Sequence, residues 1–230
     1  MDSVNSLPAV QDRSKLTRDR LLDAAEEILR SKGSEAATVP AIAERAQVAV
    51  GSVYRRFSNK DAVLRSVHER YFQRRLANNA LALSPEAWQS YDLRQTVRKL
   101  VEGTVCGHVK DGDILRALME YDERHPDEIF RRRAQSLRDD ALRRASGIIL
   151  QKRDEIQHSD PEGAVQFVLL SIALILRGIL VQRIDTEFYM GSPESLARQL
   201  THMALAYLQN RDKSIPAETV RAGVRKAKRA

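Results

Sequence analysis

Helix breakers are scarce in this chain. Its 230 residues include only 10 Gly and 7 Pro, about 7% together against roughly 12% in average soluble proteins, so long helices are the expected filling. Aromatic residues are also few, with 6 Tyr, 5 Phe and 1 Trp, which leaves aliphatic side chains to build the core. An apolar content of 43% is ample for that core and excludes disorder throughout. The single cysteine, Cys106, rules out an internal disulfide and offers no second thiol for a zinc site, in keeping with a reducing compartment. The first residues lack the basic segment and apolar run of an export signal. The most apolar stretch, Phe167 to Leu176, is shorter than the roughly 20 residues of a membrane span. A cytoplasmic protein without a membrane partner is expected.

What is present is positive charge, +7 overall, and its position is informative. Residues 71–210 balance, whereas residues 211–230 hold 7 Lys+Arg against 2 Asp+Glu. A basic end suits phosphate, an anionic surface or plain solvation. The segment 213–230 is too polar to pack and is expected to be a disordered basic tail.

Periodicity gives an all-α reading with about nine helices. Leu21, Ala24, Ala25, Ile28 and Leu29 form the stripe of a first helix, closed by Gly33. Thr38 should cap a second helix with Pro40 in its first turn. Val50 to Phe57 forms a short third helix with Val53 and Phe57 inward. Ser58 and Asp61 have the spacing of a capping box for a fourth helix that starts near Lys60 and runs to about Ala80. Further helices are expected over 92–110, 114–124, 126–157, 160–181 and from Pro193 onward, with a break at Asp111-Gly112-Asp113. No segment alternates like a strand.

Two short helices joined by a tight turn have the sequence form of a helix-turn-helix, in which the second helix enters the major groove. With Val53 and Phe57 turned inward, Gly51, Ser52, Tyr54, Arg55 and Arg56 are left outside. A hydroxyl, a phenol and two guanidiniums suit phosphates and base edges, and Gly51 permits close backbone approach. Lys60 adds a charge at the next helix start. Arg13, Lys15, Arg18 and Arg20 near one end, and Arg221, Arg225, Lys226, Lys228 and Arg229 near the other, can extend the footprint.

The run from Thr38 to Leu64 closely resembles the DNA-binding region of TetR-family transcriptional regulators, through Ile42-Ala43, Ala46, Val48, Tyr54, Phe57, Lys60 and Leu64. Leu21 to Ala25 looks like that family's first helix. The resemblance implies a DNA-binding domain over 1–59 and a larger C-terminal helical domain, effector-binding and dimerising, over 60–212. It also implies that Thr38, Ser52, Tyr54 and Lys60 touch the DNA backbone, while Val50, Gly51, Arg55 and Arg56 lie in or beside the groove. Two positions depart from the family pattern. Gln47 stands where a glycine commonly takes positive φ, at a cost of about 1 kcal/mol, and Ala49 stands where a serine often caps the recognition helix.

The segment Val165 to Leu180 is apolar on nearly every side, so it is either a central core helix or packs inward on one face and meets a second copy on another. Phe167, Leu170, Leu174, Leu200, Met203 and Tyr207 are the candidate dimer residues. Similarity to the family places an effector pocket among the helices from about Tyr71 to Ile156, with Trp88, Tyr91, Cys106, His108, Met119, Tyr121 and Phe130 as candidate lining. These favour an apolar or aromatic ligand, although Glu120, Asp122 and Glu123 could attract a cation. The expected protein is a dimeric repressor of an inverted-repeat operator, released by a small molecule. The alternative is a constitutive regulator or an adaptor whose C-terminal part binds another protein. The histidines lack metal or triad spacing, Cys106 and His108 point to different helix faces, and no phosphate loop occurs, so neither catalysis, a metal nor a cofactor is expected.

Overall fold

The computed structural model describes residues 7–181 and 191–211. Among them are eight α-helices and no strand: α1 Leu7–Ala36, α2 Val39–Arg45, α3 Val50–Tyr54, α4 Lys60–Ala82, α5 Leu93–Arg124, α6 Glu128–Leu150, α7 Pro161–Leu176 and α8 Pro193–Leu208. Short 3-10 turns lie at Pro85–Trp88 and Arg153–Glu155, and a π-helical turn, Arg177–Val181, extends α7. The basic segment 213–230 and the side chain of Arg13 fall outside the described residues.

Local chemistry sets most helix starts. Thr38 Oγ1 accepts the Ala41 amide at 3.3 Å, Asp92 and Gln95 close a reciprocal capping box on α5, and Asp160 and Ser192 cap α7 and α8 ahead of an N-terminal proline. At α4 the cap is Asn59, whose side chain accepts the Ala62 amide at 2.9 Å, and not the expected Ser58–Asp61 box. Asp61 is engaged instead by residues of α5 and by the segment leading into α6. Gly33, with φ 79°, interrupts α1 as expected of a residue that tolerates positive φ.

The expected break at Asp111-Gly112-Asp113 does not occur. α5 runs unbroken for 32 residues, about 48 Å at 1.5 Å per residue, and this merger reduces nine helices to eight. Tertiary contacts outweigh the glycine: Gly112 is buried, Asp111 binds Arg30 at 3.1 Å, and the following Ile114 and Leu115 enter the N-terminal core. α6 is shorter than its sequence stripe suggests, because the chain turns at Gln151 into the Arg153–Glu155 segment.

Two apolar cores result. The first joins α1, α2, α3 and the start of α4 with Ile114, Leu115 and Leu118 of α5. The second joins the first half of α5 with the end of α6, α7 and α8. α5 threads both. α7 buries Ala164, Val165, Val168, Ile172 and Leu176, while Phe167, Leu170 and Leu174 stay more than half exposed. By length and composition alone, Pro161–Ile179, 19 residues with an 18-residue window of mean hydropathy 1.7, is apolar enough to cross a membrane, a longer stretch than Phe167 to Leu176. Its inner face belongs to the second core.

Candidate nucleic-acid interface and ligand cavity

The turn between α2 and α3 is a Schellman C-cap. The amide of Val48 donates to Ala43 O at 3.0 Å and that of Gln47 to Glu44 O at 3.0 Å, the two bonds that close a helix on a left-handed residue. Gln47 is that residue: with φ 55° it is the only non-glycine at positive φ among the described residues. Val48 packs back on the core, and Arg20 Nη2 donates to Ala46 O at 2.7 Å. α3 then starts at Val50 behind its N-cap Ala49, which makes no side-chain hydrogen bond.

Val53 and Phe57 are buried at 0% and 5% exposure and anchor α3 from beneath. The opposite surface carries Thr38, Val50, Gly51, Tyr54 and Arg55 exposed, with Ser52, Arg56 and Lys60 half-buried. Tyr54 is 57% exposed. A Cβ built on Gly51 meets nothing within 4 Å, so the protein's own packing does not require glycine there. Three of the polar side chains are pre-positioned by internal bonds. Arg55 Nη2 donates to Ser52 Oγ at 2.7 Å, Arg56 Nη1 to Ser52 O at 3.1 Å and Nε to Ser14 O at 3.4 Å, and Lys60 Nζ to Glu35 O at 3.3 Å. Beside α3, an open cleft is lined by Ser14, Lys15, Arg18, Arg56, Ser58 and Ser66. Its serines were not apparent in the sequence, since α1, α3 and α4 bring them together only in three dimensions.

The first turn of α4 is tied to the rest of the molecule through Asp61. Oδ1 accepts the Tyr121 hydroxyl at 2.5 Å and His125 Nε2 at 3.1 Å, and Oδ2 accepts Arg65 Nε at 2.9 Å. Burial raises the Asp61 carboxyl, but these three donors together hold it below its ordinary range. The Asp127 amide donates to His125 Nδ1 at 3.1 Å, so the ring proton sits on Nε2 and points at Asp61. Burial, and then the charge and hydrogen bond of Asp61, push the Tyr121 phenol far up. Nearby, His68 Nε2 lies 2.8 Å from Asp122 Oδ1 with both side chains almost fully buried.

Further along α4, a cavity of 240 Å³ opens between α4, α5, α6 and α7. Phe72, Arg75, Leu76 and Asn79 line it from α4, facing His108, Leu115 and Met119 of α5, Leu142 of α6, and Leu174 and Arg177. Of the sequence candidates, His108 and Met119 are here. Burial lowers the His108 imidazole, and its Nδ1 donates to Thr104 O at 2.8 Å. The other candidates lie elsewhere. Tyr121 and Phe130 pack edge-to-face in the Asp61 cluster, ring centroids 5.7 Å apart. Trp88 and Tyr91 form a separate pair at 5.9 Å, with Trp88 Nε1 bonded to Ala82 O. Cys106 is exposed on a groove with Val109, Pro193 and Ala197. The carboxylates offered for a cation are engaged or remote: Asp122 faces His68, Glu123 pairs with Arg177, and no described acid lines the cavity. Among the described residues no group of His, Cys, Asp or Glu has metal-site geometry. The residues missed on α4 had a signal, because Phe72, Arg75, Leu76 and Asn79 follow i, i+3, i+4, i+7 and set polar groups within an apolar stripe.

On α7 and α8, Phe167, Leu170, Leu174, Met203 and Tyr207 are 38–57% exposed, and Phe167 and Tyr207 stack with centroids 5.2 Å apart. Leu200 is the exception. At 3% exposure it faces the second core, since its position on α8 falls on the side turned to α5 and α7.

Residues 21–67 match the family model described as bacterial regulatory proteins, tetR family. No curated protein matches by sequence. Among solved structures, a tetR-family regulatory protein from Rhodococcus is 18% identical, with 85% of this chain and 98% of that chain covered at a TM-score of 0.64. The transcriptional regulator FadR from Bacillus subtilis, solved in complex with stearoyl-CoA, is 16% identical, with 82% and 97% covered at a TM-score of 0.60. The TetR-family regulator PfmR from Thermus thermophilus is 16% identical, with 86% and 98% covered at 0.59. At such identities the likeness concerns the fold.

Proposed function

We propose that this chain, whose residues 21–67 match the TetR-family model, is a TetR-family transcriptional regulator, a dimeric repressor of an inverted-repeat operator that a small molecule releases. Residues 1–59 are the reading head and residues 60–212 the sensing and pairing unit. The observation that carries this reading is the exposed surface of α3, where Val50, Gly51, Tyr54 and Arg55 stand clear of a scaffold anchored by Val53 and Phe57. Thr38, Ser52 and Lys60 flank it as phosphate contacts, and Arg56 lies beside the groove. Lys15 and Arg18 extend the same basic surface.

The apolar face of α7 and α8 supports pairing with a second copy, because five large exposed side chains in one region need cover. A two-fold pair would present two recognition helices roughly 34 Å apart, one helical turn of DNA. α4 supports release. It begins directly behind α3 and lines the cavity at Phe72, Arg75, Leu76 and Asn79, so a ligand that fits the cavity better when α4 is displaced lowers DNA affinity by that difference. The complex of FadR with stearoyl-CoA is consistent with a sensor of this architecture, and the cavity favours a sensor over an adaptor.

The test is selection of bound duplexes from a random pool by the full chain. A recovered inverted repeat with affinity falling steeply as salt rises, through counterion release, is expected. An asymmetric site, or affinity indifferent to salt, refutes the reading.

A further inference from the structure

We propose that the cavity between α4 and α7 takes a compact apolar carboxylate of about ten non-hydrogen atoms, with its body against the leucines and Phe72 and its anionic end on the guanidinium of Arg75. This rests on the sensor reading above and goes further by naming the chemical class of the ligand.

Size sets the first requirement. An apolar cavity of about 150 Å³ holds benzene, so the 240 Å³ within these walls accommodates about ten non-hydrogen atoms. The walls set the second. Phe72, Leu76, Leu115, Met119, Leu142 and Leu174 are apolar, and a fully hydrophilic ligand would leave them unmatched.

The sign of charge comes from the ion pairs behind the wall. Asp111 Oδ1 is taken by Arg30 at 3.1 Å, whereas Arg75 stands 3.7 Å from Oδ2, beyond hydrogen-bond reach. Arg75 Nη1 donates to the neutral hydroxyl of Tyr71 at 3.1 Å. Glu26 already serves Arg30, Arg70 and Arg74, and Asp23 pairs with Arg70. Four guanidiniums therefore share three carboxylates in this cluster, and Arg75, at the cavity edge, is the loosest held. Arg177 on the far wall is neutralised by Glu123. The excess charge is thus localised at one end of an apolar space, the arrangement that selects an amphipathic anion. His108 adds no second cation, because burial and the neighbouring Arg75 both disfavour its protonated form.

The experiment uses the full chain and two probes of about ten non-hydrogen atoms each, octanoate and phenylacetate, compared with octanamide and phenylacetamide by calorimetry and by operator release. At least one carboxylate should bind about tenfold or more tightly than its amide, the range expected of a hydrogen bond to a charged group. Arg75→Met should bring that ratio to near one by weakening the carboxylate far more than the amide, and Arg75→Lys should keep part of the preference. Melting curves of both variants without ligand separate loss of folding from loss of recognition. Amides that bind as well as the acids, a preference that survives Arg75→Met, or no binding by any probe would overturn the assignment while leaving operator recognition standing. A carboxylate that binds through Arg75 yet leaves the operator occupied would uphold the site and refute release. Failure of the unliganded protein to select any duplex would refute the DNA-reading function instead.

Discussion

Replacing Gln47 by glycine should stabilise this protein, although the change removes a side chain and adds nothing. Gln47 sits at φ 55°, where an L-residue brings Cβ too close to the following carbonyl, at about 1–2 kcal/mol. Its side chain is exposed, so little packing is lost. Glycine relieves the strain but gives the unfolded chain more freedom, which costs about 0.4–1 kcal/mol. The net gain is about 0.5–1 kcal/mol, or about 1–4 °C in melting temperature for a chain of this size. Gln47→Ala supplies the control: alanine keeps the Cβ and the strain, so its melting temperature should lie within about 1 °C of the parent. The backbone bonds from Val48 to Ala43 and from Gln47 to Glu44 survive both changes, so the orientation of α3, and with it operator affinity, should hold in fluorescence anisotropy. A Gln47→Gly protein that melts lower than both parent and alanine control would refute the reasoning, because the turn would then not depend on a strained left-handed residue.

Gly51→Ala should leave melting temperature unchanged or raised, since a Cβ there meets no protein atom and alanine favours a helix, yet weaken operator binding in anisotropy titrations; unchanged affinity would remove Gly51 from the interface. Tyr54→Ala, at a side chain 57% exposed, should weaken operator binding with a melting temperature within about 1 °C of the parent, whereas Arg56→Ala should also cost about 1 kcal/mol through its backbone acceptors at Ser52 and Ser14. Phe167→Glu combined with Leu170→Glu should yield a folded monomer in sedimentation, because both side chains lie on the exposed face of α7; a persisting dimer would move the interface elsewhere. Glu26 is raised by burial but brought below its ordinary value by Arg30, Arg74 and Arg70, so its stabilisation is present above the unfolded carboxyl value near pH 4.3 and lost as pH falls through the lower folded value. Glu26→Gln should therefore cost about 2 kcal/mol at neutral pH and flatten the loss of stability below about pH 4.5 in denaturant titrations.

The helices that were legible in the sequence are those with a local signature. Thr38, Asp92, Asp160 and Ser192 cap where their side chains allow it, and His125-Pro126 ends α5 where the backbone before proline leaves the α region. The recognition surface was legible for the same reason: Val53 and Phe57, four residues apart, fix which side of a short helix is buried, and the rest must face out. The left-handed turn was visible as a departure at Gln47, and the structure holds that residue at positive φ. What misled were features whose outcome is set from a distance. The Asp111-Gly112-Asp113 break is overridden by Arg30 and by burial against α1, and the Ser58–Asp61 box loses Asp61 to Tyr121 and His125, 60 and 64 residues away.

The order of residues by itself determined that the described residues fold as helices without strands and that the short third helix, with the arginines just after it, offers glycine, phenol and guanidinium to solvent, because caps and a 3.6-residue stripe act within a few turns. Only the tertiary structure decided which scattered side chains share a space. Arg75 and His108 line one cavity with Leu174, Cys106 stands apart from it, and Leu200 turns inward while Phe167 turns out. Such neighbours are fixed by how helices of 16–32 residues cross and rotate against one another, a choice made by the packing of whole faces that no local pattern encodes.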